Sequence, residues 1–223
     1  MARSLEPRKR LDLSTVTEEL LRYIEQTSQE DDHHLRARKD AQEFGLVTPD
    51  VSTGQLLALL AASVATEANS SGIAATPAAG IIGLYLVDGL GSDGHLTFID
   101  PEHEHQNHAK EVFRAAGHSH FRFLPSRPLD VMGRLATDSY RIVVGDVPAL
   151  DLATFIDAAW PLIQSGGVLV LLDSLFDGLV GDPSRTDREL VSAREADEKL
   201  RGFDDALVAR LPLGSGAIVA YKR

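Results

Sequence analysis

Cysteine is absent from the 223-residue chain, which excludes disulfides, thiolate metal sites and cysteine nucleophiles together and fits a reducing compartment. Long apolar runs are missing as well. The longest, Leu56 to Val64 and Val168 to Leu172, stop far short of the ~20 residues that a bilayer span requires. Arg3, Arg8, Lys9 and Arg10 are not followed by an apolar stretch, so the signal-peptide pattern is lacking and a cytoplasmic location is expected. Positive charge is scarce: 22 Lys and Arg against 33 Asp and Glu leave a net charge of −11. Such a surface repels polyanions, so neither nucleic acid nor membrane is an expected partner.

What is present suits a single α/β core. Hydrophobic residues make up 43% of the chain and charged ones 25%, enough apolar surface to offset the entropy of ordering. Residues 1–40 read as an amino-terminal arm and helix, and residues 41–223 as the domain. In the first part Ser14 to Glu18 forms a helix start, with Leu20, Leu21 and Ile24 at helical spacing, while the run Glu30-Asp31-Asp32-His33-His34 is too polar to pack a core by itself. The break at Val47-Thr48-Pro49 precedes Gly54 to Ala65, an apolar stretch that reads as a buried helix.

From Ile73 onward, short apolar runs alternate with amphipathic segments: Ile73 to Thr76, Leu96 to Asp100, Phe121 to Leu124, Ile142 to Asp146, and Val168 to Asp173. Runs this short and continuously apolar suit parallel strands buried on both faces, with crossover helices between them. A helix from Arg185 to Leu200 carries a thin apolar stripe of Leu190, Val191 and Ala196. Ala206 to Leu211 and Ala217 to Tyr221, joined by Pro212 to Gly216, read as a closing antiparallel hairpin.

Open parallel sheets bind ligands at the carboxyl ends of their strands. Asp100, Asp146 and Asp173 each follow an apolar run, so the sheet is expected to bring them to one rim. The alternatives for each are a helix cap or a solvated loop acid. His103, His105 and His108 do not have the spacing that converges imidazoles on a metal, and read as a solvated helix face; His118 and His120 read as turn residues. Asp177 to Pro183 suits either a mobile cover over the site or an ordinary connection. No serine lies in a Gly-x-Ser-x-Gly elbow.

The order of these segments resembles the caffeoyl-CoA and catechol type O-methyltransferases, in particular their small bacterial members. Thr48-Pro49, Gly54-Gln55-Leu56-Leu57, the rim acids, Gln164 to Leu169 and the closing Leu211 to Gly216 carry the likeness, which runs from about Ala37 to Arg223. The resemblance implies a Rossmann-like, mostly parallel seven-stranded sheet, S-adenosylmethionine as cofactor, Mg²⁺ or another divalent cation, a small hydroxylated acceptor and a homodimer. By the same resemblance Asp100 takes the ribose, Pro128 in Ser126-Arg127-Pro128-Leu129 borders the adenine, and Val47, Thr76, Gly80 and Asp146 complete the cofactor site. Asp146, Asp173 and Ser174 stand where cation ligands are found, with Asp146 and Asp173 as the catalytic pair.

The chain also departs from the pattern. Val147-Pro148-Ala149 follows Asp146 where a second Asp and a Lys are usual, Ala74 replaces an acid at the end of the first strand, and Ala74-Ala75-Thr76-Pro77-Ala78-Ala79-Gly80 keeps one glycine of the cofactor loop. Two readings follow: an O-methyltransferase assisted by a divalent cation, or a catalytically silent relative that serves as a binding or dimerisation module.

Overall fold

Each apolar run becomes a strand because its backbone polar groups are satisfied by neighbouring strands while its side chains are buried on both faces. The computed structural model describes residues 13–223. In chain order the elements are α1 (Leu13–Thr27), α2 (Asp32–Glu43), α3 (Val51–Val64), β1 (Ser71–Ala75), α4 (Ala79–Leu90), β2 (His95–Ile99), α5 (His103–Ala115), β3 (Phe121–Leu124), α6 (Pro128–Val131), β4 (Tyr140–Gly145), α7 (Leu152–Ala159), β5 (Ile163–Leu171), α8 (Arg188–Arg201), β6 (Ala206–Leu211) and β7 (Ala217–Lys222). The basic arm with Arg3, Arg8, Lys9 and Arg10 lies outside the described residues.

The seven strands form one sheet in the order β3-β2-β1-β4-β5-β7-β6. Strands β1 to β5 pair in parallel, and β7 runs antiparallel to both β5 and β6, as the closing hairpin requires. Order reverses between β1 and β4, which is where a doubly wound sheet opens a crevice at its carboxyl edge.

Alternation along the strands divides the core in two. Ala74, Leu96, Phe98, Ile142 and Val144 face one side, under α3, α4 and α5. Ile73, Ala75, Ile99, Val143 and Leu169 face the other, under α7 and α8. Helices α3 and α4 approach unusually closely because glycine leaves room: a β-carbon on Gly89 would stand 2.1 Å from the Ala58 carbonyl oxygen, and one on Gly54 would enter the Tyr85 ring. On α8 the buried stripe is Leu190, Ala193, Ala196 and Leu200, with Val191 at its margin.

The acidic, histidine-bearing run at the amino terminus does pack on the core, contrary to expectation. His34 is 5% exposed. Asp31 caps α2 by accepting from the His34 N–H, and its Oδ1 also lies 2.8 Å from His34 Nδ1. Glu30 accepts from Arg38 at 2.6 and 3.0 Å and from the Tyr85 hydroxyl at 2.5 Å. Burial opposes ionisation of Glu30, but these donors outweigh it and hold its carboxyl below the usual range. This ionic network therefore does what apolar packing does elsewhere: through Glu30 and Tyr85 it fixes α2 to α4, and through Arg38 to Thr48 and Pro49 it fixes α2 to the loop that leads into α3.

Candidate functional site

Asp146 and Asp173 line a cavity of about 540 Å³ at the carboxyl edge, within the size range of small-molecule sites. Asp146 follows β4 and is half-buried; its Oδ2 accepts a 2.8 Å hydrogen bond from the Thr76 hydroxyl at the end of β1. Burial pushes the Asp146 carboxyl above its ordinary value; Thr76 pulls it back and the charge of Asp173 raises it further. Asp173 is exposed, holds a positive φ of 48°, and accepts from the Ser215 N–H at 2.6 Å.

Two loops cover this cavity: Val47 to Asp50 on one side and Leu213 to Ser215 on the other. They are joined by Asp50, whose Oδ1 caps α3 through the Thr53 N–H at 2.6 Å while its Oδ2 accepts from the Gly214 N–H at 3.2 Å. Glycine is required at 214. Its φ is +55°, and a β-carbon there would stand 2.4 Å from Asp173 Oδ1. Ile82 and Leu172 supply the apolar floor, and Val47, 78% exposed, stands at the mouth.

Asp100 shares the carboxyl edge but not this cavity. It follows β2, is 4% exposed, and its carboxylate already has two contacts: His105 Nδ1 at 2.9 Å and the Glu102 N–H at 3.3 Å. Burial nevertheless leaves its carboxyl raised, because those partners offset only part of the desolvation. The reading of His105 as part of a solvated face is therefore corrected: its side chain is 16% exposed and its ring packs edge-on against Phe44, as does that of His108. His103 remains exposed as expected.

Comparison with known proteins places this geometry. The family described as O-methyltransferase matches residues 33–223. The chain belongs to this O-methyltransferase family. A protein of Mycobacterium marinum that carries the name O-methyltransferase is 34% identical over 188 residues, 83% of each chain. A structure from Corynebacterium glutamicum is 53% identical, covers 93% of this chain and 97% of its own, and superposes with a TM-score of 0.90. An O-methyltransferase involved in tomaymycin synthesis in Streptomyces achromogenes, solved with S-adenosylmethionine, shares the fold at a TM-score of 0.78, with 24% identity and coverage of 91% and 94%.

Within this O-methyltransferase the segment Ala74 to Gly80, expected to be the cofactor loop, is held differently from a glycine-rich turn. Ala74 is fully buried in the sheet, so no rim group replaces the missing acid. Thr76, 2% exposed, donates to Asp146 and accepts from the Ala78 N–H at 3.1 Å. Gly80 lies in the first turn of α4 beside Ala37 and Ala109, where a β-carbon would make only ordinary contacts. Pro128 begins α6, the position where a missing N–H costs nothing.

The expected cation ligands do not converge. Ser174 is 2% exposed, and its hydroxyl donates inward to the Leu171 carbonyl at 3.3 Å instead of facing the cavity. Among the described residues no group of three His, Cys, Asp or Glu side chains is placed to hold a metal ion. The donor set thus reduces to Asp146 and Asp173, each already bonded within the protein, and it does not fit a resident divalent cation. Asp177 to Pro183 is an ordinary connection: Arg194 on α8 holds it by donating to the Val180 and Asp182 carbonyls, both at 2.8 Å. Among the described residues no helix is long and apolar enough to cross a membrane.

Asp50, Gly214 and His105 were not identified from the sequence as site residues. Asp50 had a signal, since an Asp directly before an apolar helical run is a favoured cap residue. His105 had none.

Proposed function

We propose that this chain transfers a methyl group from S-adenosylmethionine to a small hydroxylated acceptor in the cavity between Asp146 and Asp173. The observation that carries the reading is the half-buried Asp146 carboxylate, positioned by Thr76 at the point where strand order reverses. S-adenosylmethionine, when bound, supplies the electrophilic methyl group. The cavity volume suits the cofactor's methionine end together with a small acceptor.

Asp146 and Asp173 make the cavity electronegative, which favours a cationic ligand and an acceptor that donates hydrogen bonds. Val47 and Ile82 border the same space, and Leu172 excludes water from its floor. Asp100 and Pro128 form the part of the edge assigned to the nucleoside, with Thr76 and Gly80 between the two parts. Orientation of the acceptor within this enclosure is the chain's contribution to rate.

The silent-relative reading has its own support in Ala74, which is fully buried where the family pattern has an acid. Titration calorimetry with S-adenosylmethionine, with and without Mg²⁺, separates the two. Micromolar binding supports the enzyme, whereas no heat at millimolar ligand supports the silent module. A hundredfold excess over Kd should also stabilise the fold by about 2.7 kcal/mol, visible in a melt. Binding and turnover that do not change with Mg²⁺ are expected from a donor set of two carboxylates already bonded within the protein; a gain with Mg²⁺ overturns that conclusion. The homodimer reading is supported by the exposed Leu20 and Tyr23 on α1, at 55% and 64%, and light scattering checks it.

A further inference from the structure

The edge of the sheet opposite the rim carries a groove of about 620 Å³. It exists because the connection from β3 to β4 contains only the single turn of α6 and a short 3-10 turn, so no long helix covers the start of β2 and β3 on the α7/α8 side. Strand register makes its lining continuous: Ser71 pairs with His95, and Thr97 pairs with Arg122. Alternation puts these four on one face, the register shift between Tyr140 and Ile142 turns Tyr140 onto it as well, and His120 precedes β3 with the parity of Arg122.

Three features give this groove a defined chemistry. First, Arg122 is held by neutral groups: its Nε donates to the Thr97 hydroxyl at 2.8 Å and its Nη2 to the Tyr140 hydroxyl at 3.2 Å. The guanidinium is thus positioned, while among the described residues it has no carboxylate partner and its Nη1 makes no hydrogen bond. Second, the His95 and His120 rings stack at 4.8 Å with 4° between their planes. His95 Nδ1 lies 2.9 Å from the Asp93 carbonyl, which can only accept, so Nδ1 carries a proton and Nε2 is directed elsewhere. Third, among the described residues no carboxylate lines the groove, although the chain as a whole carries a net charge of −11. Asp93 contributes its carbonyl only, and Asp138 faces Lys222 at 3.4 Å.

We propose that this groove is a second ligand site, for a phosphate-bearing small molecule, at the amino edge of the sheet and separate from the methyl-transfer cavity. A phosphate offers several acceptor oxygens to a positioned guanidinium and to the hydroxyl hydrogens of Thr97 and Tyr140 beside it, whereas a free cation meets the Arg122 charge there. The separation from the rim is the length of the parallel strands, so occupancy of one site does not obstruct the other.

The test uses inorganic pyrophosphate as the probe, with binding read by calorimetry and located by amide chemical shifts of the full chain. The expected result is saturable binding with shifts at His95, Ser119, His120 and Arg122. Arg122→Gln should weaken it at least about tenfold, the loss of one charge-assisted contact. His120→Glu, at an exposed position outside the hydrophobic core, should abolish it by placing a carboxylate in the groove, with the melting temperature of the variant showing that the fold is kept. The proposal is overturned by the absence of binding at millimolar pyrophosphate, by shifts centred on Ala79 to Ile81 instead, or by unchanged affinity in His120→Glu. An equal response to acetate overturns the assignment to phosphate.

Discussion

Replacing Asp146 with Asn should make the protein more stable while removing the group on which the proposed site depends. Asn keeps an oxygen that accepts from Thr76, so the 2.8 Å contact to the β1 end survives. What disappears is a half-buried negative charge facing the charge of Asp173. Stabilisation of about 0.5–2 kcal/mol is expected, the common yield when a functional but strained group is neutralised. For a chain of this size that corresponds to roughly 1–8 °C in Tm. The sign with pH is fixed. The folded-state pKa of Asp146 lies above its ordinary value of 3.8, so the unfolded chain ionises first as pH rises and the charge penalises the fold. The advantage of Asp146→Asn is therefore full above the folded-state pKa and fades as pH falls toward 3.8. Differential scanning calorimetry of both proteins from neutral to acidic pH measures it, alongside titration with S-adenosylmethionine. A variant that melts lower than wild type at neutral pH, or whose difference does not change with pH, refutes the account of the rim.

Gly89→Ala should destabilise by about 1–3 kcal/mol, because its β-carbon meets a backbone oxygen of α3 that cannot rotate away; urea unfolding reads this directly, and a wild-type midpoint would contradict the packing. Burial lowers the pKa of His34, but Asp88 and Asp31 outweigh it and leave the pKa raised above 6.5. The stability this contributes is complete below pH 6.5 and is lost as pH rises through the folded-state value, so wild type should lose Tm across that window while His34→Gln stays flat. Thr76→Val should cost about 1–3 kcal/mol by leaving Asp146 without its donor and the Ala78 N–H without its acceptor, whereas Thr76→Ser should restore both; equal melting of the two variants would show that the hydroxyl does not brace the loop.

The strands were legible because burial on both faces leaves an uninterrupted apolar run, and a run such as Val168 to Leu172 has little other use. The rim was legible for the same reason: an Asp directly after such a run has left the core. Sequence alone did not show what each acid would face. Asp146 meets Thr76 across 70 positions, and Asp173 meets Ser215 across 42, contacts that depend on strand order rather than on local pattern. Ser174 was misjudged because direction within a turn is not encoded by residue type; with Asp173 at positive φ, the next side chain is carried inward. The burial of the amino-terminal run is not legible in its residue types, because polarity alone does not decide exposure. Arg38 and the Tyr85 hydroxyl satisfy Glu30, Asp31 and Asp88 flank His34, and an ionic cluster so paired can be buried where an isolated charge cannot.

Thr76 gives the unusual cofactor loop a physical logic. A glycine-rich turn owes its usefulness to conformational freedom, which lets the backbone adapt to a ligand at an entropic cost. Here a single hydroxyl donates to Asp146 and accepts from the Ala78 N–H, so the loop is fixed to the end of β4 before any ligand arrives. The consequence is a trade. The Ala78 amide is no longer open to a ligand, and the remaining donors of that turn are the first amides of α4, whose amino-terminal cap residue contributes no side-chain bond. A cofactor carboxylate would then be met by a preset helix end instead of a yielding loop, with less ordering to be done on binding. In this chain, then, Thr76 substitutes a fixed position of the Asp146 carboxylate for the freedom that a glycine-rich turn would give.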